Sequence, residues 1–381
     1  MKLLFISNFY HHMWKSMSEE LDKLTGGDYR FVATSELPES RKKLGFQEDT
    51  PSYVIQYNEK TKEEIDRMIL GADAVVIGAS PLSIIYPRLK TNKLTLRYSE
   101  RLYKTRSRYL KYPVHLYRNI LTRNCYLLCS GAFAAKDFIR TGGFKGRCFK
   151  WGYFPEVREY ESEDSLIKRK SSQKAGVVSI VWAARLIPLK HPGMAIQVAQ
   201  KLIDDGYDFD MKIIGNGELD KKLKEMVSSL HLESHVHLLG SMPPTDVRRN
   251  MEEGDIFLMT SNRQEGWGAV VNEAMNSGCA VVAGHSIGSV PFLIKNHVNG
   301  LCFKSEDVDD LYKQVKYLMD HPEERTQMGK RAYQTMVENW SGPTIANNLL
   351  KLINALKEGR IPDIEEGPCS EAPIIKENWL E

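Results

Sequence analysis

Short apolar runs alternate with amphipathic stretches of helical period along almost the whole chain. The runs lie at 2–7, 29–33, 53–56, 73–79 and 125–130 in the first part, and at 177–183, 210–214, 235–239, 255–259, 280–283 and 300–303 in the second. Continuous Val, Ile and Leu runs with helices between them are typical of parallel sheets covered on both faces. The alternation therefore predicts an α/β protein whose ligand binds at the carboxyl ends of the strands.

The length of 381 residues exceeds one ordinary hydrophobic core, so two domains of roughly 150–200 residues are expected. Residues 1–154 form the first predicted domain and 176–341 the second. The polar segment 155–175 has no apolar periodicity and is predicted to link them. A helix at 343–358 is predicted to pack back on the first domain, and 359–381 to be an extended, unpacked tail with three prolines.

Local signals and composition limit the class of protein further. Ser16-Met-Ser-Glu19 has the pattern of a capping box, which predicts a helix that begins at Ser16. Apolar content of 42% with 27% charge is typical of a globular enzyme, and the net charge of +3 is small. The six cysteines are scattered, with no second pair or nearby histidines to complete a zinc site. Without a signal peptide or a long apolar stretch, we expect reduced thiols and a cytoplasmic location.

The segment Glu265-Gly-Trp-Gly-Ala-Val-Val-Asn-Glu273 places two carboxylates seven residues apart, between a strand-like run and a helix-like run. A strand, a glycine turn and a helix N-terminus together present backbone N–H groups and a positive dipole to phosphate. The two carboxylates can accept hydrogen bonds from hydroxyls beside it. Because a nucleotide-sugar combines phosphate with sugar hydroxyls, this segment indicates a binding site for one.

Two further features lie at strand ends in the same half. Arg185 and Lys190 flank a strand-to-helix turn, where a cationic pair can bind a diphosphate. Two surface cations on a loop are the alternative, as an exposed helix carboxylate is for Glu273. Ile214-Gly-Asn-Gly-Glu218 is a glycine turn of a kind common in α/β proteins. Chance explains poorly why all of these features occur in this order, each at a strand's carboxyl end.

These motifs resemble the donor-binding domain of the retaining family 4 glycosyltransferases. The matching pieces are Arg185-Leu-Ile-Pro-Leu-Lys190, Ile214-Gly-Asn-Gly-Glu218, the E-x7-E signature from Glu265 to Glu273, and the closing Asn339-Trp-Ser. The resemblance runs from Val177 to Trp340. It implies the GT-B fold, in which two doubly wound, Rossmann-like domains face each other across a cleft. It also implies an enzyme of the bacterial cell-surface polysaccharide type.

The resemblance implies roles for individual residues. Arg185 and Lys190 would hold the donor diphosphate, Glu273 would accept from the ribose hydroxyls, and Glu265 would contact a hydroxyl of the transferred sugar. The other donor-binding positions would be Asn216, Met242 and the backbone of Gly266, Trp267 and Gly268. Members need no bound metal, so no metal or cofactor is expected. One departure is Phe292, which replaces a glutamate that many members carry.

The first half of the chain is predicted to bind the acceptor. His11 and His12 follow the first strand, so either one of them contacts the acceptor or the donor, or one is simply buried and the other solvated. The resemblance favours His12 at the reaction centre, because relatives carry a histidine near that turn. Between Arg88 and Arg123 there are eleven Lys or Arg residues and one acid, Glu100, interleaved with tyrosines. This composition suits an anionic membrane surface or a lipid-diphosphate acceptor. It would also suit nucleic acid or a solvated helix face, but a cleft committed to a sugar nucleotide disfavours nucleic acid.

The predicted reaction transfers a sugar from a nucleotide-diphosphate donor to a hydroxyl of a glycan or lipid-linked glycan, with retention of configuration. A UDP-sugar is favoured over a GDP-sugar as the donor. Two alternatives share the architecture. One is a sugar-nucleotide epimerase, which would need a different pattern of acid and base groups. The other is a silent partner subunit, which has no chemical reason to keep Arg185, Lys190, Glu265 and Glu273. A dinucleotide oxidoreductase is disfavoured because no Gly-x-Gly-x-x-Gly follows the first strand.

Overall fold

The computed structural model describes residues 1–42, 50–102, 123–160, 162, 165–167, 170 and 176–380. They divide into two compact units. Unit 1 consists of Met1–Glu156 and Asn339–Glu377, and unit 2 of Val157–Glu338 and Asn378–Glu381. Within the described ranges, no helix is both long and apolar enough to cross a bilayer. All six cysteines are buried, and none forms a disulfide.

Unit 1 is built around a sheet of seven parallel strands in the order β3-β2-β1-β4-β5-β6-β7. The strands are β1 (Leu3–Ser7), β2 (Tyr29–Ala33), β3 (Val54–Gln56), β4 (Ala74–Ile77), β5 (Thr95–Ser99), β6 (Cys125–Ser130) and β7 (Cys148–Trp151). The described helices are α1 (His12–Leu24), α2 (Glu39–Lys42), α3 (Lys62–Gly71), α4 (Tyr86–Lys90), α5 (Ala134–Arg140) and, from the end of the chain, α13 (Gly342–Lys357). The order is that of a doubly wound sheet, as predicted.

Unit 2 repeats this plan with six parallel strands in the order β10-β9-β8-β11-β12-β13. The strands are β8 (Val178–Ala183), β9 (Phe209–Ile214), β10 (Val236–Gly240), β11 (Ile256–Met259), β12 (Ala280–Gly284) and β13 (Leu301–Phe303). The helices are α6 (Gly193–Asp204), α7 (Asp220–Ser229), α8 (Pro244–Glu253), α9 (Val270–Asn276), α10 (Val290–Leu293), α11 (Val308–Asp320) and α12 (Pro322–Asn339). β8 and β11 are buried throughout, which explains their continuous apolar runs.

Two strands of unit 1, β5 and β7, are absent from the sequence prediction. Each carries a basic residue that is only partly buried, Arg97 in β5 and Lys150 in β7. The Arg97 guanidinium lies 5.4 Å from the centre of the Phe138 ring on α5, so the sheet accommodates it by packing on an aromatic face. A charge inside a short run breaks the apolar pattern that identifies a buried parallel strand.

The start of α1 differs from the predicted capping box. The helix begins at His12, and the side chain of His11 accepts a hydrogen bond from the N–H of Met13 (3.3 Å). Ser16 therefore lies inside the helix rather than at its N-terminus. The prediction was wrong because an imidazole nitrogen can satisfy an unpaired N–H as a serine hydroxyl does.

The segment after Gly359 is extended but not unpacked, which corrects the predicted tail. Cys369 is fully buried, and its N–H donates to the carbonyl of Lys150 (2.8 Å). Ala372 donates in the same way to Cys148 (2.9 Å), and Glu371 bridges to Phe149. Prolines exclude a helix here, but they leave the backbone able to pair with the edge strand β7.

Candidate donor site of unit 2

The strand order of the second sheet reverses between β8 and β11. Loops that follow these two strands run in opposite directions, which leaves a crevice at their carboxyl ends. Arg185 and Lys190 lie in the loop after β8, and Glu265 lies in the loop after β11. The topology therefore brings two separate sequence motifs to one point of the unit.

The end of β11 holds the loop that carries Lys190. The hydroxyl of Thr260 donates to the carbonyl of Lys190 (2.7 Å) and accepts from the indole N–H of Trp182 (2.8 Å). The N–H of Asn262 donates to the carbonyl of Leu189 (3.1 Å). Thr260 is 1% exposed, so these bonds are shielded from water. Sequence reasoning missed Thr260, although a small polar residue directly after a buried strand was a usable signal.

Lys190 and Glu265 form a close ion pair between the lysine Nζ and the glutamate Oε2. Their side chains are only 13% and 14% exposed, so solvent screens the pair less than it screens a surface pair. Arg185 is exposed and makes no ion pair with any described residue. A lysine ammonium has three donors, so its contact with Glu265 leaves two that can reach an anion.

The glycine turn after β9 packs directly on the Arg185 loop. A Cβ atom on Gly215 would lie 1.9 Å from the carbonyl oxygen of Ala184, and one on Gly217 would lie 2.4 Å from that of Leu186. Both glycines also have positive φ angles, 141° and 159°, a region that favours glycine. The N–H of Leu186 donates to the carbonyl of Asn216 (2.8 Å). The turn that looked generic in sequence is therefore part of the scaffold for Arg185.

The remaining predicted donor-binding positions are distributed around these loops. Asn216 is exposed, and its amide donates to the Ser241 hydroxyl (3.3 Å). Met242 follows directly and is partly exposed, with its sulfur 3.5 Å from the Asn250 amide nitrogen. The Asn216 side chain thus lies beside the loop that carries Met242.

The glycine turn after β11 is shaped from inside the unit. Trp267 is 1% exposed, and its indole N–H donates to the side chain of Asn272 (2.9 Å). Gly268 has a φ angle of +88°, and a Cβ there would lie 3.1 Å from side-chain carbons of Met259 and Ile287. Gly266 is also buried. The turn can therefore offer its backbone, but not the tryptophan ring, to a ligand.

Glu273 lies in the first turn of α9, after the glycines, and is partly exposed. Burial raises the pKa of its carboxyl, and the charge of Arg248 offsets part of this shift. Arg248 is 8% exposed on α8, and its Nε lies 3.8 Å from the Glu252 carboxylate. The sequence analysis missed Arg248 because helix packing, not spacing along the chain, places it near Glu273. Among the described residues, no hydrogen bond or ion pair joins Glu273 to Glu265, Lys190 or Arg185.

His12 belongs to unit 1, whereas the other nine predicted site residues belong to unit 2. It is the first residue of α1 and is partly exposed, at the carboxyl end of β1. His11 is 8% exposed, and its ring centre lies 5.6 Å from that of His12 and 5.8 Å from that of Trp14. Of the two histidines, His12 is therefore the more accessible.

The basic segment 88–123 is described only in part, since 103–122 lie outside the described residues. Arg88 is fully buried, and its guanidinium donates to the carbonyls of Ile69, Ala72, Asp73 and Leu94. Tyr98 is buried against the Ser7 hydroxyl (2.6 Å), and Arg101 pairs with Asp137 and Glu377. The prediction that Arg88, Tyr98 and Arg101 belong to a basic surface was wrong, because their polar groups bond to other residues of unit 1. Lys90 and Lys93 are exposed.

Two parallel-sheet units with this strand order define a GT-B protein, and solved structures share the fold. The crystal structure of Anabaena HepE in complex with UDP matches with a TM-score of 0.70 at 16% identity, over 93% of this chain and all of that one. WaaG, a glycosyltransferase involved in lipopolysaccharide biosynthesis, matches with a TM-score of 0.60 at 14% identity, over 91% of this chain and 99% of its own.

Residues 164–335 match the family model of the glycosyl transferases group 1. The amylovoran biosynthesis glycosyltransferase AmsK of Erwinia amylovora is 36% identical over 126 residues, which are 32% of this chain and 31% of that protein. A poly(ribitol-phosphate) alpha-N-acetylglucosaminyltransferase of Staphylococcus aureus is 25% identical over 172 residues, 45% of this chain and 34% of its own. The chain spans between about a third and a half of the curated relatives that it matches.

Proposed function

We propose that the protein is a retaining hexosyltransferase that moves a sugar from a nucleotide-diphosphate donor to a hydroxyl of a glycan or lipid-linked glycan, in polysaccharide or glycolipid biosynthesis. The observation that carries the proposal is the Lys190–Glu265 ion pair at the switch point of unit 2. It places a cation for a diphosphate beside a carboxylate for a sugar hydroxyl. A UDP-sugar is favoured because the structures of HepE with UDP and with UDP-glucose share this fold.

The roles of the residues follow from their chemistry. Arg185 and Lys190 would take up the charge of the leaving diphosphate, and they gain strength as water is excluded. Glu265 would accept a hydrogen bond from the sugar while staying ion-paired, so we do not assign it as a covalent nucleophile. The acceptor would attack the face that the diphosphate leaves, and the leaving phosphate would receive its proton. Asn216, Met242 and Gly266 to Gly268 would line the donor, and His12 would contact the reacting groups from unit 1.

The test is nucleoside diphosphate release over a panel of UDP- and GDP-sugars, with and without glycan acceptors and with and without EDTA. We expect release with one donor class, unchanged by EDTA because cationic side chains do the work of a metal. Lys190→Ala should lower kcat/KM at least about 100-fold, as loss of a preorganised charge does. Glu273→Ala should weaken donor binding about 10-fold or more, through the lost charged hydrogen bonds.

Matched controls are Lys221→Ala and Glu225→Ala on α7, whose side chains are 90% and 66% exposed in the same unit. Both should behave like the wild type. If no donor is bound or turned over, or if the Lys190 and Glu273 variants match their controls, the transferase proposal is wrong. An epimerised donor in the absence of acceptor, seen by NMR, would instead establish the epimerase alternative. Donor binding without any turnover would favour the silent partner subunit.

We also propose that the protein works at the cytoplasmic face of a membrane, held by segment 88–123. The support is the excess of cations in this segment, nine against one acid once the buried Arg88 and Arg101 are left out, and the exposure of Lys90 and Lys93. Anionic headgroups attract such segments with about 1 kcal/mol per cation near the surface.

A further inference from the structure

Residues 285–289, between β12 and α10, support the loop that carries Glu265. The N–H of Gly288 donates to the carbonyl of Glu265 (3.4 Å), and the N–H of Ser289 donates to that of Trp267 (3.0 Å). Ile287 is fully buried, and one of its methyl carbons would lie 3.1 Å from a Cβ on Gly268. A shift of this segment would therefore move the Glu265 turn with it.

The first residues of this segment are tied to β13 and the residues after it. The N–H of His285 donates to the carbonyl of Phe303 (2.9 Å), and its ring Nδ1 accepts from the N–H of Ser305 (3.0 Å). Ser286 bonds to the Ser305 hydroxyl through both its N–H (3.1 Å) and its own hydroxyl (2.7 Å). None of these bonds satisfies the carbonyl oxygen of His285.

That carbonyl accepts from the indole N–H of Trp379 (2.9 Å), which belongs to the last residues of unit 2. Trp379 is partly exposed, and the next residue, Leu380, lines a cavity of about 280 Å³ together with His285, Cys302 and Lys304. Trp379 is far from the donor motifs in sequence, yet two hydrogen bonds connect it to them. The first joins Trp379 to His285, and the second joins segment 285–289 to Glu265.

We propose that Trp379 is a positioning residue for the sugar-binding part of the donor site. This inference rests on the proposed function, since it assigns a support to Glu265 in its role as a sugar contact. Without the indole, the His285 carbonyl must find water, and the segment that supports Glu265 loses a hydrogen bond. Misplacement of a substrate-positioning group by about 1 Å can lower a rate 100-fold, so the effect on binding should be measurable.

The contacts predict which part of the donor is affected. Segment 285–289 bonds to the backbone of Glu265 and Trp267, which would face the sugar and the distal phosphate. Among the described residues, no backbone hydrogen bond links it to Glu273, which would face the ribose. Trp379→Ala should therefore lower the affinity for UDP-glucose about fivefold or more, while it lowers the affinity for UDP less than twofold. A fivefold change corresponds to about 1 kcal/mol, the usual net contribution of one hydrogen bond.

The experiment is calorimetric titration of the full chain with UDP and UDP-glucose, and in parallel with GDP and GDP-mannose, beside melting curves. Trp379→Phe keeps a ring but removes the N–H, so it should fall between the wild type and Trp379→Ala. Ile374→Ala is the control, because this side chain lies in the same C-terminal segment and is 59% exposed. It should change neither affinity.

Two failures are distinguishable. If the wild type binds none of the four probes, the donor-site proposal fails and this inference with it. If the wild type binds a sugar nucleotide and Trp379→Ala binds it equally well, only the role of Trp379 is overturned. The same holds if Trp379→Ala lowers the affinities for the sugar nucleotide and for the free nucleoside diphosphate by the same factor. A uniform loss with a lower melting temperature would show that Trp379 serves stability alone.

Discussion

Glu273 occupies a setting that opposes its charge. Burial disfavours its carboxylate more than Arg248 favours it, so the pKa is raised above the ordinary 4.5. An ionised carboxyl group that destabilises the folded protein is typical of a ligand-binding position. The Lys190–Glu265 pair is different, because each member there provides the counter-charge for the other.

The raised pKa of Glu273 predicts that Glu273→Gln stabilises the fold by an amount that depends on pH. On unfolding, the carboxyl regains its ordinary pKa, so above about pH 4.5 the unfolded chain holds this proton less tightly than the folded protein does. The free energy of unfolding therefore falls as pH rises through this range. Glu273→Gln, which resembles the protonated form, should melt at about the wild-type temperature near pH 4 and roughly 2 °C higher at pH 7.

Differential scanning calorimetry at the two pH values measures this directly, with Glu225→Gln on the surface of α7 as the control. A Glu273→Gln variant that is destabilised equally at pH 4 and pH 7 would contradict the prediction, since the loss would then come from packing rather than charge. The same variant should bind the donor nucleotide less tightly, which would separate the residue's effect on the fold from its effect on the ligand.

Helix α13 shows how an element from the end of the chain completes unit 1. It packs along α1, and its first residue, Gly342, is buried against that helix. A Cβ on Gly342 would lie 2.1 Å from the Ser16 hydroxyl oxygen and 2.7 Å from the Ser16 backbone carbon. Because part of that contact is backbone, a side-chain rotation cannot relieve it. The two helices depend on glycine at this position for their close approach.

Gly342→Ala should lower the free energy of unfolding by about 1–3 kcal/mol, the usual effect of overpacking. The control is Gly71→Ala at the end of α3, where a Cβ would meet no atom within 4 Å. That change should be neutral or slightly stabilising, because alanine favours a helix over glycine by about 0.5–1 kcal/mol. Urea denaturation of both variants measures the difference. Equal stability of Gly342→Ala and the wild type would show that α1 and α13 can separate without loss.

The whole protein carries a net charge of only +3, so any attraction to a membrane must come from a local excess of cations. Lys104→Glu/Arg106→Glu/Arg108→Glu reverses three charges of segment 88–123. It should lower co-sedimentation with anionic liposomes several-fold at low salt, because each cation contributes about 1 kcal/mol near the surface. Lys221→Glu/Lys222→Glu/Lys224→Glu on α7 makes the same change of net charge and should leave binding intact. Equal, weak binding of the wild type to anionic and neutral liposomes would remove the membrane proposal.

The amino-acid sequence determined the fold class, because the apolar runs of parallel strands are buried on both faces and so persist as continuous Val, Ile and Leu stretches. All six strands of unit 2 were predicted from such runs, and four of them, β8, β11, β12 and β13, are buried throughout. In unit 1, β5 and β7 could not, since Arg97 and Lys150 break that pattern and become acceptable only when neighbouring elements pack against them. The residues of the candidate donor site were predictable in kind, since glycine turns, cations and carboxylates at strand ends have few other uses together.

Only the tertiary structure decided how those residues meet. The pairing of Lys190 with Glu265 depends on the switch point between β8 and β11, and the effect of Arg248 on Glu273 depends on the packing of α8 on α9. It also decided that Arg88 and Tyr98 are interior residues and that Trp379 reaches His285. The physical reason is common to all of them. Local sequence determines which secondary structures are favourable. Burial and hydrogen bonding between residues distant in sequence are determined only when the helices pack on the sheets.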